Sequence, residues 1–260
     1  MNENIEQHFR KNEIPFLESM DDVVNQSINE YRPILTSFLN PRQIYLLQII
    51  ANSYNEVHVA SFGGLHNSEM KRALIYPDYF EPKIEDYNLC LFDIRYPIKF
   101  AKLHHNQVLG TLIGSGIERN VIGDILFDGQ HWQFVTEQEM ATYLKGQIDR
   151  IGKVKVQLQE IPLNKIIEPL NEWKTVNTTL SSLRVDNVIS RGFNVSRNTS
   201  KELVAKGKVH LNWGEFSQPN YELELNDVLS VRGYGRLKVM EIFGISRHNK
   251  LRVSLSVLKK

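Results

Sequence analysis

The sequence predicts an α+β protein in three folded segments. These are a mixed, mostly helical N-terminal domain over 1–80, a middle domain over 81–162 and a small C-terminal module over 181–260. Three observations predict it. Apolar residues in the first 55 positions recur at spacings of three and four. Between Asp86 and Ile161, strand-like and helix-like runs follow one another in the order β-α-β-β-α-β. The stretch 162–182, with two prolines and a polar Thr/Asn/Ser run, then reads as a linker, placed at 163–180, into two short helix patterns and several strands.

In the N-terminal segment, "MDDVVNQSINEYRPILTSFL" places Val23, Val24, Ile28, Tyr31, Ile34 and Leu35 on a helical stripe. In "NPRQIYLLQIIANS", Asn40 is an N-cap candidate and Pro41 stands at the first helical position. "EVHVASFGG" reads as a strand running into a Gly-Gly turn, and "MKRALIYPDYFEP" as an apolar run stopped by prolines.

In the middle segment, "YNLCLFDIRY" is β-rich. Val108, Leu109, Leu112 and Ile113 have helical spacing. "NVIGDILFDGQHWQFVT" reads as two strands around the Asp128-Gly129 hairpin signal. A second helix carries Met140, Tyr143, Leu144 and Ile148 on one face, and "KVKVQLQEI" alternates as a strand. This order is the split βαβ arrangement of ferredoxin-like domains and of many RNA-binding sheets. The C-terminal module reads as a helix from Asp186, a helix from Ser196, and strands near 208–212, 221–232, 237–246 and 250–258.

Composition narrows the function classes. The chain has no apolar run near the ~20 residues of a membrane span. Its first residues, "MNENIEQHFRKNE", carry no signal-peptide apolar core, so a cytoplasmic protein is expected. The single cysteine, Cys90 in "NLCLFDI", reads as a buried structural thiol. The net charge of +1 hides an asymmetry: Ser181 to the end holds 14 Lys and Arg against 7 Asp and Glu, net +7, and the rest is −6. A basic module on an acidic remainder suggests a polyanionic partner.

Within that module the helix from Ser196 has a capping serine at its start and Gly207 at its end. Ser200, Leu203 and Gly207 share one stripe, with Val204 at its edge. Arg197 and Lys201 are about 40° apart beside the stripe and make a basic ridge at a helix N-terminus. Lys208 and Arg184 extend it. Phosphate suits such a ridge, since guanidinium binds it as a fork and ammonium as a point charge. In "VRGYGRLKV", Gly233 and Gly235 flank Tyr234, with Arg232 and Arg236 outside. That pattern reads either as a close RNA approach with a stacking ring or as a bulge that bends a strand.

The run "LRVDNVISRGFNVSRNTSKELVAKGKVHLNW" closely resembles the small RNA-binding module named after ribosomal protein S-four. The match rests on Arg184, Asp186, Ser196, Arg197, Leu203, Gly207, Val209 and Asn212, with Asn226-Asp227 replacing a Gly-Asp pair. The resemblance implies an αL-type fold that grips structured RNA. The segment "HHNQVLGTLIGSGIERNVIGDI" is similar to the YlmH family at His105, Leu109, Gly110, Gly116, Ile117, Arg119, Gly123 and Asp124. Asn106 and Gln107 depart from its pattern. "FLNPRQ" and "FGGLHNSEMKRALIYPDYFEP" extend the likeness over nearly the whole chain. That family has an N-terminal domain, an RRM-like middle and the S-four-type module at the end.

The resemblance implies a non-enzymatic factor on the large ribosomal subunit that contacts rRNA and tRNA. It also implies a part in rescue of obstructed subunits beside other rescue factors, and a link to cell division. Taken with the basic ridge and the Gly-Tyr-Gly pattern, it gives as candidate RNA-binding residues Arg184, Ser196, Arg197, Lys201, Lys208, Asn212, Arg232, Tyr234 and Arg236, with His105 and Arg119 as candidates for a second RNA surface. The alternative is an RNA-modifying enzyme, such as a pseudouridine synthase-like protein, that uses the module to find its substrate. No synthetase signature, Walker-type loop or Gly-Arg-Leu-Asp catalytic run occurs in the sequence, and Arg119 stands where a dinucleotide loop needs its third glycine. His104-His105 has no carboxylate at ligand spacing. No cofactor or metal is expected, and Asp93 and Asp124 are the only carboxylates to examine for catalysis.

Overall fold

The computed structural model describes residues 13–170, 173–225 and 227–259. The described residues up to Leu170 form one compact unit and those from Trp173 onward a second. The N-terminal and middle segments therefore do not separate as two bodies.

In the first unit, helix α1 (Ile14–Glu30) is followed by strand β1 (Ile34–Leu39), helix α2 (Pro41–Ala51), and strands β2 (His58–Phe62) and β3 (Lys71–Tyr76). The first 55 residues are thus less helical than their spacing predicts, and 1–12 lie outside the described residues. Helix α1 stops because Tyr31 turns left-handed at φ 49° and sends its N–H back to the Ser27 and Ile28 carbonyls. Arg32, which precedes Pro33, is disfavoured in a helix. Ile34–Leu39 then pairs antiparallel with β3, giving a sheet of order β1-β3-β2. Helix α2 begins as its sequence predicts. Asn40 Oδ1 accepts from Gln43 N at 2.9 Å and Gln43 Oε1 accepts from Asn40 N at 2.9 Å.

The middle strands are β4 (Leu89–Arg95), β5 (Ile122–Phe127) and β6 (Trp132–Glu137), with helix α3 (His105–Gly114) between β4 and β5. Helix α4 (Ala141–Gln147) follows, then a small hairpin of β7 (Arg150–Ile151) and β8 (Val154–Lys155), then β9 (Gln157–Ile161). "KVKVQLQEI" is therefore two strands broken at Val156, whose N–H turns aside to the Asp149 carbonyl. The sheet order is β5-β6-β4-β9 with every neighbour antiparallel, so β4 and β5 run parallel with β6 between them. Val108, Leu112, Ala141, Leu144 and Ile148 pack on one face of it. Tyr143 and Ile113, expected on those apolar faces, are exposed.

The opposite face of that sheet is covered. Leu91 and Val135 meet Phe38 of β1, and Met70, Leu163 and Ile166 close over them. Gly123 sits beneath this contact: a Cβ there would lie 2.7 Å from the Phe38 ring. Buried Arg72 donates to the carbonyls of Thr36, Tyr87 and Asn88 at 2.8–3.2 Å, tying β1 and β3 to the start of β4.

The second unit opens on strand β10 (Lys174–Leu180), so the last seven residues of the expected linker are a strand. Helices α5 (Val185–Phe193) and α6 (Arg197–Ala205) follow. The remaining strands are β11 (Val209–Leu211), β12 (Gly214–Glu215), β13 (Val228–Val231), β14 (Gly235–Ile245) and β15 (Leu251–Lys259). Residues 221–225 and 227, expected as strand, lie outside any named one. Asn226 lies outside the described residues. The sheet order is β10-β15-β14-β13-β11-β12. β10 pairs along its whole length with β15, from Lys174 opposite Val257 to Leu180 opposite Leu251. This register makes β10 integral to the module. A fragment from Trp173 onward should give one cooperative thermal transition, and a fragment from Ser181 should melt lower and expose the β15 edge. Equal melting of the two fragments would show β10 to be dispensable.

Candidate nucleic-acid interface

The centre of the C-terminal site is a carboxylate. Asp186, in the first turn of α5, is wholly buried. Arg184 Nε and Nη2 reach its two oxygens at 3.2 Å each, and Arg197 Nε reaches the second oxygen at 3.2 Å. The backbone holds this arrangement in place. Val185 N–H donates to the Tyr221 carbonyl and Asp186 N–H to the Pro219 carbonyl, both at 3.0 Å. α6 is oriented by its cap: Ser196 Oγ accepts from Thr199 N at 3.0 Å. Ser200, Leu203 and Val204 form its buried stripe, while Gly207 lies outside the stripe at φ 64° and ends the helix.

Two guanidinium groups share one buried carboxylate, so the cluster keeps a net positive charge and unused N–H donors. The arginine side chains remain 33% and 48% exposed. The anchor fixes both forks before any ligand arrives, which lowers the ordering cost of binding a phosphate. Burial pushes the Asp186 carboxyl up, but the hydrogen bonds from Arg184 and Arg197 outweigh it and hold the group below the ordinary aspartate value of 3.8. A carboxyl depressed in the folded state stabilises it above its unfolded value, and this is lost as pH falls through the folded value. The C-terminal module should therefore lose stability below about pH 4, and Asp186→Asn should flatten that acid limb in a pH series of melting curves.

Lys201, Lys208 and Arg232 are exposed. Among the described residues none of them has a carboxylate within salt-bridge distance. Lys208 and Arg232 are neighbours across the sheet margin, where Arg232 N–H donates to the Lys208 carbonyl at 2.8 Å.

Three expected contacts change character. Asn212 and Trp213 both have positive φ, 47° and 64°, and form the tight turn from β11 to β12. The Asn212 amide is committed internally: it donates to Asp227 Oδ1 at 2.7 Å and accepts from Val228 N at 2.9 Å. Tyr234 lies in the turn between β13 and β14, half-buried, with its ring 5.6 Å from that of Phe193. It completes the core edge and is not a free stacking platform. Gly235 is required for a packing reason, because a Cβ there would meet the Leu258 carbonyl oxygen at 1.9 Å. Arg236 is half-buried on β14 opposite Ser230 and Leu258. The sequence reasoning missed the anchoring role of Asp186, although a carboxylate with arginines two positions before it and eleven after it was a readable signal.

In the first unit, His105 opens α3 and is exposed, whereas Arg119 opens the short turn that leads into β5. The Arg119 guanidinium donates to the Ile122 carbonyl, and its burial lowers its pKa against the pull of Asp124 and Glu69. Asp124 accepts from the backbone N–H groups of Glu69 and Met70 at 2.7 and 2.9 Å; burial raises its pKa against those bonds. Asp93 is buried, paired with Arg95 at 2.7 Å and beside Gln133. Neither carboxylate lines the cavity of about 600 Å³ beside β1 or that of about 560 Å³ beside β9. Cys90 lies at the second cavity but is 2% exposed, and burial pushes its thiol up to about 12. Among the described residues no cluster of His, Cys, Asp and Glu is placed to hold a metal ion, and no helix is long and apolar enough to cross a membrane.

Comparison with known proteins assigns the chain. Three family models match: "YlmH, N-terminal" over 12–80, "Putative RNA-binding domain in YlmH" over 82–165 and "S4 domain" over 183–229. A relative from Bacillus subtilis (strain 168), the ribosome-associated protein quality control protein P2, is 34% identical over 96% of this chain and 97% of its own. This chain belongs to the YlmH family. A solved YlmH structure, the cell division protein ylmH from Streptococcus pneumoniae, is 37% identical with a TM-score of 0.55 and covers 62% of this chain and 98% of its own. The Arg184–Asp186–Arg197 cluster lies inside the matched S4 domain, and the covered β4–β6 face lies inside the matched middle domain of YlmH.

Proposed function

We propose that this protein is a non-enzymatic RNA-binding factor that acts on the large ribosomal subunit and contacts rRNA and tRNA during quality control of stalled translation. The observation that carries the reading is the pair of anchored, half-exposed arginines on buried Asp186. Such forks are built for phosphate rather than for a small neutral substrate. Exposed Lys201 and Lys208 add point charges, and exposed Arg232 a further guanidinium. The middle sheet does not add to this reading, because its face away from the helices is filled by Phe38, Leu163 and Ile166 and offers RNA no open stacking surface. The two candidate catalytic carboxylates are engaged with backbone N–H groups and a neighbouring arginine, which speaks for a binder over a modifying enzyme. The name of the Bacillus relative supports ribosome association, and that of the Streptococcus structure a connection to cell division.

The test is sedimentation. The full chain should co-sediment with large ribosomal subunits in moderate salt, and a chain ending at Leu170 should stay in the supernatant. Retention of the truncated chain would overturn the reading. A modified rRNA or tRNA nucleotide that depends on Asp93 or Asp124 would turn it toward the enzyme.

A further inference from the structure

The positive charge of the C-terminal unit is not where the helices are. Residues 181–227, which hold α5 and α6, carry six Lys and Arg against six Asp and Glu. Residues 228–260 carry eight against one. The +7 surplus therefore comes from beyond residue 229, where the matched S4 domain stops, and every cation of it but Lys260 lies on the last two strands or in the turns beside them.

The hairpin of β14 and β15 has an unusual outer half. β13 pairs with β14 only from Gly235 to Lys238. Register shifts then occur between Val239 and Glu241 and between Ile242 and Gly244, and beyond them β14 pairs with β15 alone. Residues 240–245 are exposed throughout, including Met240, Ile242, Phe243 at 55% and Ile245 at 64%. Large apolar side chains on an exposed edge mark an interaction site. The turn is ordered by its own bonds, from Ser246 N–H to the Lys250 carbonyl at 2.7 Å and from Lys250 N–H to Ser246 Oγ at 3.1 Å. It presents Arg247 and Lys250, with Arg252 opposite Gly244 on the neighbouring strand.

We infer that this hairpin arm is a second RNA-contact surface, one that holds an unpaired stretch of RNA. The inference rests on the RNA-binding reading above. Charge complementarity selects the partner: Lys238, Arg247, Lys250 and Arg252 interleave with the apolar side chains, and Glu241 is the only carboxylate residue among them. A ring and aliphatic wedges between cations match bases flanked by phosphates. The helix pair then orients the RNA, while the arm supplies most of the salt-dependent attraction.

Binding of the full chain to a fluorescent oligouridine and to an RNA duplex of equal length, across a salt series, tests this. Arg247→Ala with Lys250→Ala should lower the oligouridine salt slope by about 1.4, since each lost single-strand phosphate contact removes about 0.7. Phe243→Ala should weaken oligouridine binding about five- to a hundred-fold with an unchanged slope, because stacking releases no counterions. Its effect on the duplex should be small, and melting curves should overlay wild type because the ring is exposed. Wild-type affinity and slope in both hairpin variants, alongside a weakened Lys201→Ala chain, would overturn the arm and leave the RNA-binding reading standing. No RNA binding by wild type would overturn both. Flotation of wild type with phosphatidylglycerol vesicles, abolished by Phe243→Ala, would assign the surface to lipid instead.

Discussion

Replacing Arg184 and Arg197 together by alanine should weaken RNA binding and also destabilise the C-terminal module by about 3 kcal/mol, because Asp186 is left buried without a counter-charge. The sequence alone predicts that Arg197→Ala with Lys201→Ala leaves folding almost unchanged, since both residues lie beside the apolar stripe. The structure reverses that expectation. The effect should fall at the low end for a buried charge, because truncating two long side chains lets water reach the carboxylate. A third substitution, Asp186→Ala, should recover most of the stability and none of the affinity, since it removes the stranded charge but restores no fork. Thermal melts and filter binding on the double and triple variants separate these effects. A triple variant no more stable than the double would show that the aspartate is not what the arginines protect.

Phe38→Ala should be the most damaging single change in the first unit, costing about 3–5 kcal/mol. Its ring is 1% exposed, lies against Leu91 and Val135, and leaves no room for a Cβ at Gly123. Truncation opens a cavity where the β1-β3-β2 sheet meets the middle sheet. Hydrogen exchange should then show lost protection in β1 and β3, with the β10–β15 sheet unaffected, because that sheet belongs to the other compact unit. Uniform loss of protection across the chain would mean that the two units unfold together.

Some features were determined by the sequence alone, and they share a local cause. Asn40-Pro41 and Ser196 cap helices through bonds that span three residues, so a short window contains both partners. The Asp128-Gly129 hairpin is equally local: Asp128 accepts from Gln130 and His131 within its own turn. The charge surplus of the C-terminal segment is a matter of counting. The family likeness was carried by residues such as Arg184, Ser196, Arg197 and Gly207, whose spacing is visible without coordinates.

Only the tertiary structure decided which of those residues remain free to act. Ile34–Leu39 became a strand because β3 begins more than thirty residues later, and Lys174–Leu180 because β15 lies some seventy residues on. Strand formation depends on the partner surface more than on intrinsic preference, so short windows misread both segments. Asn212 and Tyr234 carry RNA-binding residue types, yet Asp227, Val228 and Phe193 already occupy them. Arg197 looked like one of two equivalent cations on a ridge, but only it reaches Asp186, eleven residues back on the preceding helix. A side chain's type sets what it can bind, and the partners that folding places beside it set what it has left to offer.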